Sequence, residues 1–449
     1  MTRLILAELR ASWATWAGVI LVSAITALAC GIAVSMLETG MRAGEEYLQG
    51  FSGGTAVILM FSAPAGIAVI ATITRLAVDL GRPAYARWQL AGVSPSQTAL
   101  VVIIQIMAAS LLGGAIGFGV TTVLAGPAIH SAFESGTGGY SEIPIITGPL
   151  TAWVTIPAAV IIALLGGLRA ARTAAHTPPL AALREPETRA KRMHWWRWVL
   201  LLAVLGGATA FFSSLFQATD RSAFLSQGPL VPVVITVVFV SAGPIVYPWL
   251  LRGWTALIPA RISTSWYLAR HQARYHLGRS TASITPLYTG TALLGGLFTM
   301  TATVDASLQA GGEKGVNLEL SQVLLMLGGP VLLAAIGAAV VIFMSNRTQG
   351  SEQALLQASG ATSSTVVASA LWQAVIHVVT AAILGSVVII LTAVLTSAAL
   401  GRFVPAVPII DATYALGLIG VGLVLTVLAT VLPVASRSQT SVALQLAAK

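Results

Sequence analysis

The stretch VVASALWQAVIHVVTAAILGSVVIILTAVLTSAA, Val366–Ala399, decides the fold. It contains no Asp, Glu, Lys or Arg. About 20 apolar residues of helix are enough to cross a hydrocarbon core of about 30 Å, and this run is longer. Its apolar residues are continuous, whereas a strand of a membrane barrel alternates apolar and polar positions. In lipid the backbone must satisfy its own hydrogen bonds, which leaves helices and closed barrels. This run therefore reads as a membrane-spanning helix.

Working outward, nine more runs of the same kind follow the same logic. They are Trp13–Leu37, Gly54–Thr74, Thr98–Thr122, Leu150–Leu168, Trp198–Phe216, Pro229–Leu251, Ser283–Val304, Leu320–Met344 and Ala412–Val434. The chain of 449 residues is 56% hydrophobic and 9% charged, against roughly 25% charged in soluble proteins. With so few charges most of the chain cannot be solvated surface. The sequence is that of an all-α polytopic membrane protein with ten spans, expected in the bacterial cytoplasmic (inner) membrane. Charge sets the orientation. With the N-terminus inside, twenty of the 24 lysines and arginines fall on the cytoplasmic side, and only Arg42, Arg221, Lys314 and Arg402 face out. This is a strong positive-inside bias, and it places both termini in the cytoplasm. The net charge of +9 belongs to that distribution and does not point to nucleic acid. The segment Met1–Arg10 carries Arg3, Glu8 and Arg10 among leucines and leads into a span too long for a signal peptide. It reads as a short interfacial helix. The basic, aromatic segment Leu257–Ser280 mirrors it before span seven, and its arginines are placed to meet anionic lipid.

A shift of 268 positions aligns two cytoplasmic segments. RPAYARWQLAGVSPSQT (Arg82–Thr98) falls on GSEQALLQASGATSSTV (Gly350–Val366). Gln89 then matches Gln357, Gly92 matches Gly360, Ser96 matches Ser364, Gln105 matches Gln373 and Gly117 matches Gly385. Spans two to four and eight to ten thus read as copies of one module with the same orientation, a parallel repeat. Gly92 and Gly360 follow amphipathic helical runs, where a C-terminal cap belongs.

These segments resemble the FtsX-like (MacB-type) permeases of ABC transporters, with the module present twice. The closer match is SEQALLQASGATSS (Ser351–Ser364), in which Glu352 takes the family's acidic position and Gly360-Ala361 its turn. The first copy, ARWQLAGVSPSQ (Ala86–Gln97), keeps the Leu-Ala-Gly core but has Arg87 where the second has Leu355. Each module also ends in a family-like basic tail, Ala171–Glu185 and Ser436–Leu446. The resemblance implies five parts. These are a lead-in and span one (1–53), a first FtsX-like module (54–185), a linker with spans five and six (186–256), an interfacial helix with span seven (257–319), and a second module (320–449). The layout is nearest to the ten-helix bacitracin-exporter type. This chain departs from it, because the loop Asp305–Glu319 stands where that type has a large extracellular domain. That weighs against a role needing a large external receptor.

The resemblance also implies that the two loops couple to a separate ATPase. Arg82, Arg87, Gln89, Gly92, Glu352, Leu355, Gln357 and Gly360 are the candidate coupling residues. The partners implied are cytoplasmic ABC ATPase subunits as a dimer, with ATP and Mg bound there, and membrane lipid; the sequence names no external partner protein. The chain has no P-loop of its own, since none of Lys191, Lys314 and Lys449 follows a glycine. No cofactor, metal site or catalytic group is expected in this chain. Cys30 stands alone and His130, His176, His194, His271, His276 and His377 form no zinc-binding spacing. Gln105, Gln373 and His377 are polar groups at helical depth. They are candidates for a functional site or simply for hydrogen bonds between helices. The function expected is a permease moving an amphipathic or lipid-like cargo (a peptide antibiotic, drug or lipid) outward. The alternative is force or signal transmission of the FtsX kind without cargo. A secondary transporter is disfavoured by the lack of a carboxylate within the spans.

Overall fold

The computed structural model describes residues 13–134, 143–175, 195–218, 224, 227–259, 261–275, 277–312, 320–348 and 355–438. Its helices are α1 (Trp13–Ala43), α2 (Glu45–Leu90), α3 (Pro95–Phe133), α4 (Pro149–Ala175), α5 (Trp195–Gln217), α6 (Val231–Leu257), α7 (Thr264–Tyr275), α8 (Leu277–Ala310), α9 (Leu320–Thr348), α10 (Ser363–Leu400) and α11 (Thr413–Ser438). All of these except α7 are long and apolar enough to span a membrane, which gives ten spans among the described residues.

The helices run past the apolar stretches that announce them. α2 is the clearest case. The sequence suggests a span followed by a separate short cytoplasmic helix, but one helix covers both, from Glu45 to Leu90. At 1.5 Å per residue it is about 69 Å long, more than twice a hydrocarbon core. Local side-chain contacts carry it through the polar stretch. Arg82 Nη2 forms an ion pair with Asp79 Oδ1 at 2.7 Å, and the rings of Tyr85 and Trp88 meet edge to face at 5.5 Å.

The chain divides into two compact units. The first comprises Met1–Arg189 with Glu319–Met344. In it α1 packs along α2, α3 and α4, and α4 closes against α2 and α3. The approach of α1 to α3 is backbone-close. A Cβ at Gly117 would collide with the Ala24 carbonyl oxygen, and one at Gly113 with that of Ile20. Without a hydrophobic drive between helices in lipid, such small residues let dispersion do the packing. At one end Ala33, Met36, Phe51, Ile58, Ala125 and Ile129 form a buried cluster that Leu325 of α9 joins. The same α9 meets α1 and α2 farther along its length, where Gly329 faces Ala29 and Ser62 and Gly337 faces Val69.

The second unit comprises Ala190–Leu318 and Ser345–Lys449. Here α8 and α10 form the central pair, α11 packs against both, and α6 and α7 cover the other side. Gly385 of α10 meets Thr291 and Ala292 of α8, which lie 268 positions beyond Ser23 and Ala24 of α1. The α1–α3 contact of the first unit thus has its counterpart in the α8–α10 contact of the second.

Candidate functional site: two matched turns and a docked helix

The turn after α2 and the turn before α10 are built from the same hydrogen bonds. In the first, Ala91 N donates to Arg87 O, Gly92 N to Gln89 O and Val93 N to Trp88 O, at 3.0, 3.1 and 3.0 Å. In the second, Ser359 N donates to Leu355 O, Gly360 N to Gln357 O and Ala361 N to Leu356 O, each at 3.0 Å. Every donor and acceptor is displaced by 268 positions. The last two bonds of each set are the pair that closes a helix with a left-handed residue. Gly92 (φ 92°) and Gly360 (φ 100°) supply that conformation, which an L side chain adopts only at a cost.

The next helix starts in the same way in both copies. Ser94 (φ −70°, ψ 153°) caps α3 and Thr362 (φ −73°, ψ 153°) caps α10. Each hydroxyl accepts from the backbone N–H three residues on, Gln97 and Thr365, at 3.3 Å. Each also meets the hydroxyl two residues on, Ser96 at 3.0 Å and Ser364 at 2.9 Å. Only the first copy completes a capping box, because Gln97 returns its side chain to Ser94 N at 3.0 Å.

The candidate coupling residues fall around these turns. Arg82 is held by Asp79 and Arg87 is exposed. Gln89 reaches across to α4 and donates to the Ala175 carbonyl at 3.2 Å, which ties the turn to the C-terminal end of that helix. Leu90 and Leu355 present apolar side chains that are 58% and 62% exposed. Gln357 is half-buried and gives its carbonyl to Gly360. Glu352 lies outside the described residues, as do most of the two basic tails and Met1–Arg10.

The intramembrane polar residues are arranged less symmetrically. Gln373 is buried and donates through Nε2 to Gln272 Oε1 of α7. One turn on, His377 Nε2 lies 3.3 Å from Ser280 Oγ of α8. Gln105, the counterpart of Gln373, is fully buried with neither amide atom partnered among the described residues. The 268-residue shift carries Gln272 onto Leu4, which has no polar side chain and lies outside the described residues. Among the described residues no group of three or more His, Cys, Asp or Glu could hold a metal ion.

Three features escape the sequence reading. The first is the docking of α7. Trp266 is 2% exposed and sits edge to face with Trp372 of α10 at 5.3 Å and beside Trp254 of α6 at 6.3 Å. Trp254 Nε1 in turn donates to Thr380 Oγ1 at 3.0 Å. The second is a carboxylate latch in the first unit, between the C-terminal end of α1 and the start of α4. Glu38, 2% exposed, accepts from Arg42 Nη2 at 2.7 Å, Gly148 N at 3.1 Å, Thr151 N at 2.9 Å and Thr151 Oγ1 at 2.7 Å. It thereby fixes the start of α4, where a negative charge also suits the helix dipole, while Thr39 Oγ1 accepts from Ile146 N at 3.0 Å. The third is the analogous strap in the second unit. Thr303 Oγ1 donates to Ile409 O at 3.0 Å and accepts from Ile409 N at 3.2 Å, and Thr299 does the same with Asp411.

Helices throughout the described residues, ten of them long and apolar enough to span a membrane, with small residues at helix crossings and two matched turns, define a multi-pass membrane protein. Residues 56–179 match the family model for the FtsX-like permease C-terminal. The matched segment covers most of α2, all of α3 and α4, and the first of the two matched turns. No curated protein and no solved structure matches the chain.

Proposed function

We propose that this chain is the permease subunit of an ATP-binding cassette system, with its two inner turns serving as docking points for a separate pair of ATPase subunits. The observation that carries this reading is the coincidence of two facts. The turn at Arg87–Gln97 lies inside the segment that matches the FtsX-like permease family, and its backbone bonds and caps recur at Leu355–Thr365. A second module is the simplest source of that recurrence. Each turn presents exposed residues, Arg87 and Leu90 on one and Leu355 on the other, on a helix end locked by a left-handed glycine. A partner pushing there acts on α3 or α10 directly, because the capping hydroxyl of each helix stands two residues beyond the glycine. ATP binding to the partner would then rock α1–α4 and their counterparts. The spans offer little polar lining, so the cargo is amphipathic or lipid-like and moves outward from the bilayer.

The test is co-purification of the tagged chain with an ATPase encoded beside it, in wild type and in the exposed-residue variants Arg87→Glu and Leu355→Glu. The expected result is a retained ATPase whose recovery falls severalfold in each variant and further in the double variant. Full retention by the double variant would overturn the docking assignment. A complex that hydrolyses ATP but moves no amphipathic probe across vesicles would favour signal transmission over transport.

A further inference from the structure

The corner between α6 and α7 concentrates positive charge that no described residue of its unit neutralises. Arg274 spans the corner, donating from Nε and Nη2 to Thr255 Oγ1 at 3.1 and 2.7 Å and from Nη2 to the Arg252 carbonyl at 3.0 Å. Arg270 donates from Nη1 to the Ile258 carbonyl at 3.4 Å, while its Nε is buried without a partner among the described residues. The two arginines thus cap the C-terminal carbonyls of α6, which accounts for some of their donors. Burial, with the neighbouring Arg270 and Arg252 charges, holds Arg274 below the usual arginine range, yet a guanidinium stays cationic at physiological pH. The Arg252 and Arg261 side chains have no hydrogen-bond or ion-pair partner among the described residues, and both are exposed.

Among the described residues of this unit, carboxylates are far from this cluster. The sequence from Arg221 to Val304 contains no Asp or Glu. Among the described residues of this unit the carboxylates are Asp305 and Asp411, and Asp411 is bonded to Thr299 near the far end of α8. Asp305 is about 40 Å from the corner along α8. The surface beside the cluster is apolar and bare. Trp249 and Leu257, which flank Arg252 on α6, are 81% and 83% exposed, and Ile262 in the connecting turn is 67% exposed. An ion or nucleotide would use the charge but not the apolar surface, whereas a lipid uses both.

We infer that the α6–α7 corner is a binding site for an anionic glycerophospholipid, with Arg252, Arg270 and Arg274 around its phosphate and its acyl chains along the Trp249 and Leu257 face. The planar guanidinium forks suit phosphate oxygens. Lipid held there secures α7, which is bonded to α10 through Gln272 and Gln373 and packed on it through Trp266 and Trp372. The site therefore sits one helix away from the Leu355–Thr365 turn, and it stands whether or not that turn binds an ATPase.

The test is native mass spectrometry of the full chain in a neutral detergent, titrated with phosphatidylglycerol or with phosphatidylcholine of the same acyl chains. Arg252→Gln is the informative variant, because the Arg252 side chain makes none of the capping bonds; Arg252→Gln/Arg261→Gln extends it, and Arg402→Gln is the control. The expected result is preferential retention of phosphatidylglycerol, reduced about fivefold by Arg252→Gln, the factor for loss of one arginine near an anionic lipid, and unchanged in the control. Equal retention of the two lipids, or undiminished phosphatidylglycerol in the double variant, would overturn the site. Displacement of the lipid by millimolar inorganic phosphate would also overturn it, since the acyl face would then contribute nothing.

Discussion

Replacing Glu38 should unlatch α4, and the cost depends on what replaces it. The carboxylate receives four donors, three of them from Gly148 and Thr151, and Thr151 is fully buried. In Glu38→Ala those three donors lose their acceptor, and Arg42 loses its partner. Removing one side of a buried charged contact costs about 3–5 kcal/mol. For a unit of roughly this size that is a fall in melting temperature of about 10 °C. Glu38→Gln behaves differently. Its single oxygen can stay where Oε2 is and keep the three bonds to Gly148 and Thr151, while its amide turns toward Arg42. Arg42 is 52% exposed, so that loss is screened and costs about 1–2 kcal/mol. Thermal unfolding of the purified chain, followed by tryptophan fluorescence, separates the two. The expected order is wild type, then glutamine, then alanine well below. Alanine matching wild type would refute the latch. Glutamine falling as far as alanine would show that the charge pair with Arg42, not the bonds to α4, carries the effect.

Other expectations follow from the same geometry. Gly117→Val puts its side chain against the Ala24 carbonyl and Ala27 and should cost about 1–3 kcal/mol or more by overpacking, seen as loss of the monodisperse peak in size-exclusion chromatography. Gly360→Ala forces an L residue to φ 100° and should cost about 1–2 kcal/mol, with faster amide exchange confined to residues 355–366; Gly92→Ala should do the same around 87–98. Trp266→Ala removes a ring packed between Trp254 and Trp372 and should cost about 3–5 kcal/mol, with amide protection lost first in α7. Thr303→Val deletes both bonds to Ile409 and should cost about 1–2 kcal/mol, read as increased proteolysis just before α11.

What the sequence discloses here divides by range. The ten spans are legible because a stretch such as Val366–Ala399 has one stable home, and lipid forbids most alternatives to a helix. The matched turns are legible because a glycine at C′ and a hydroxyl at the N-cap are local requirements, so a shift of 268 positions finds both copies. The latch is not legible, because Glu38 and Thr151 are 113 positions apart and nothing near Glu38 marks it as different from the other outer acids. The same holds for Gln272 and Gln373, which are 101 positions apart. The presence of most of α9 in the first unit is likewise a matter of which apolar faces fit. Continuous apolar runs with little sidedness do not specify that. The unbroken α2 escapes for a simpler reason: hydropathy reports where lipid ends, not where a helix ends.

That unbroken α2 is a single mechanical arm. Its N-terminal part carries Phe51 and Ile58 into the buried cluster with Ala33 and Ile129, and its C-terminal tip is the Gly92 turn. Between them Pro64 and Pro83 cannot donate to the Met60 and Asp79 carbonyls, so the arm has two soft points, and helices bend at such points. The ion pair between Arg82 and Asp79 braces the second, which leaves Pro64 as the elbow. A thrust applied at Leu90 would be carried by one backbone as far as Pro64 and would reach the N-terminal half as a change of angle rather than as a push. The residues beside that elbow, Gly66 against Thr26 and Ile162, are where such bending would be felt first.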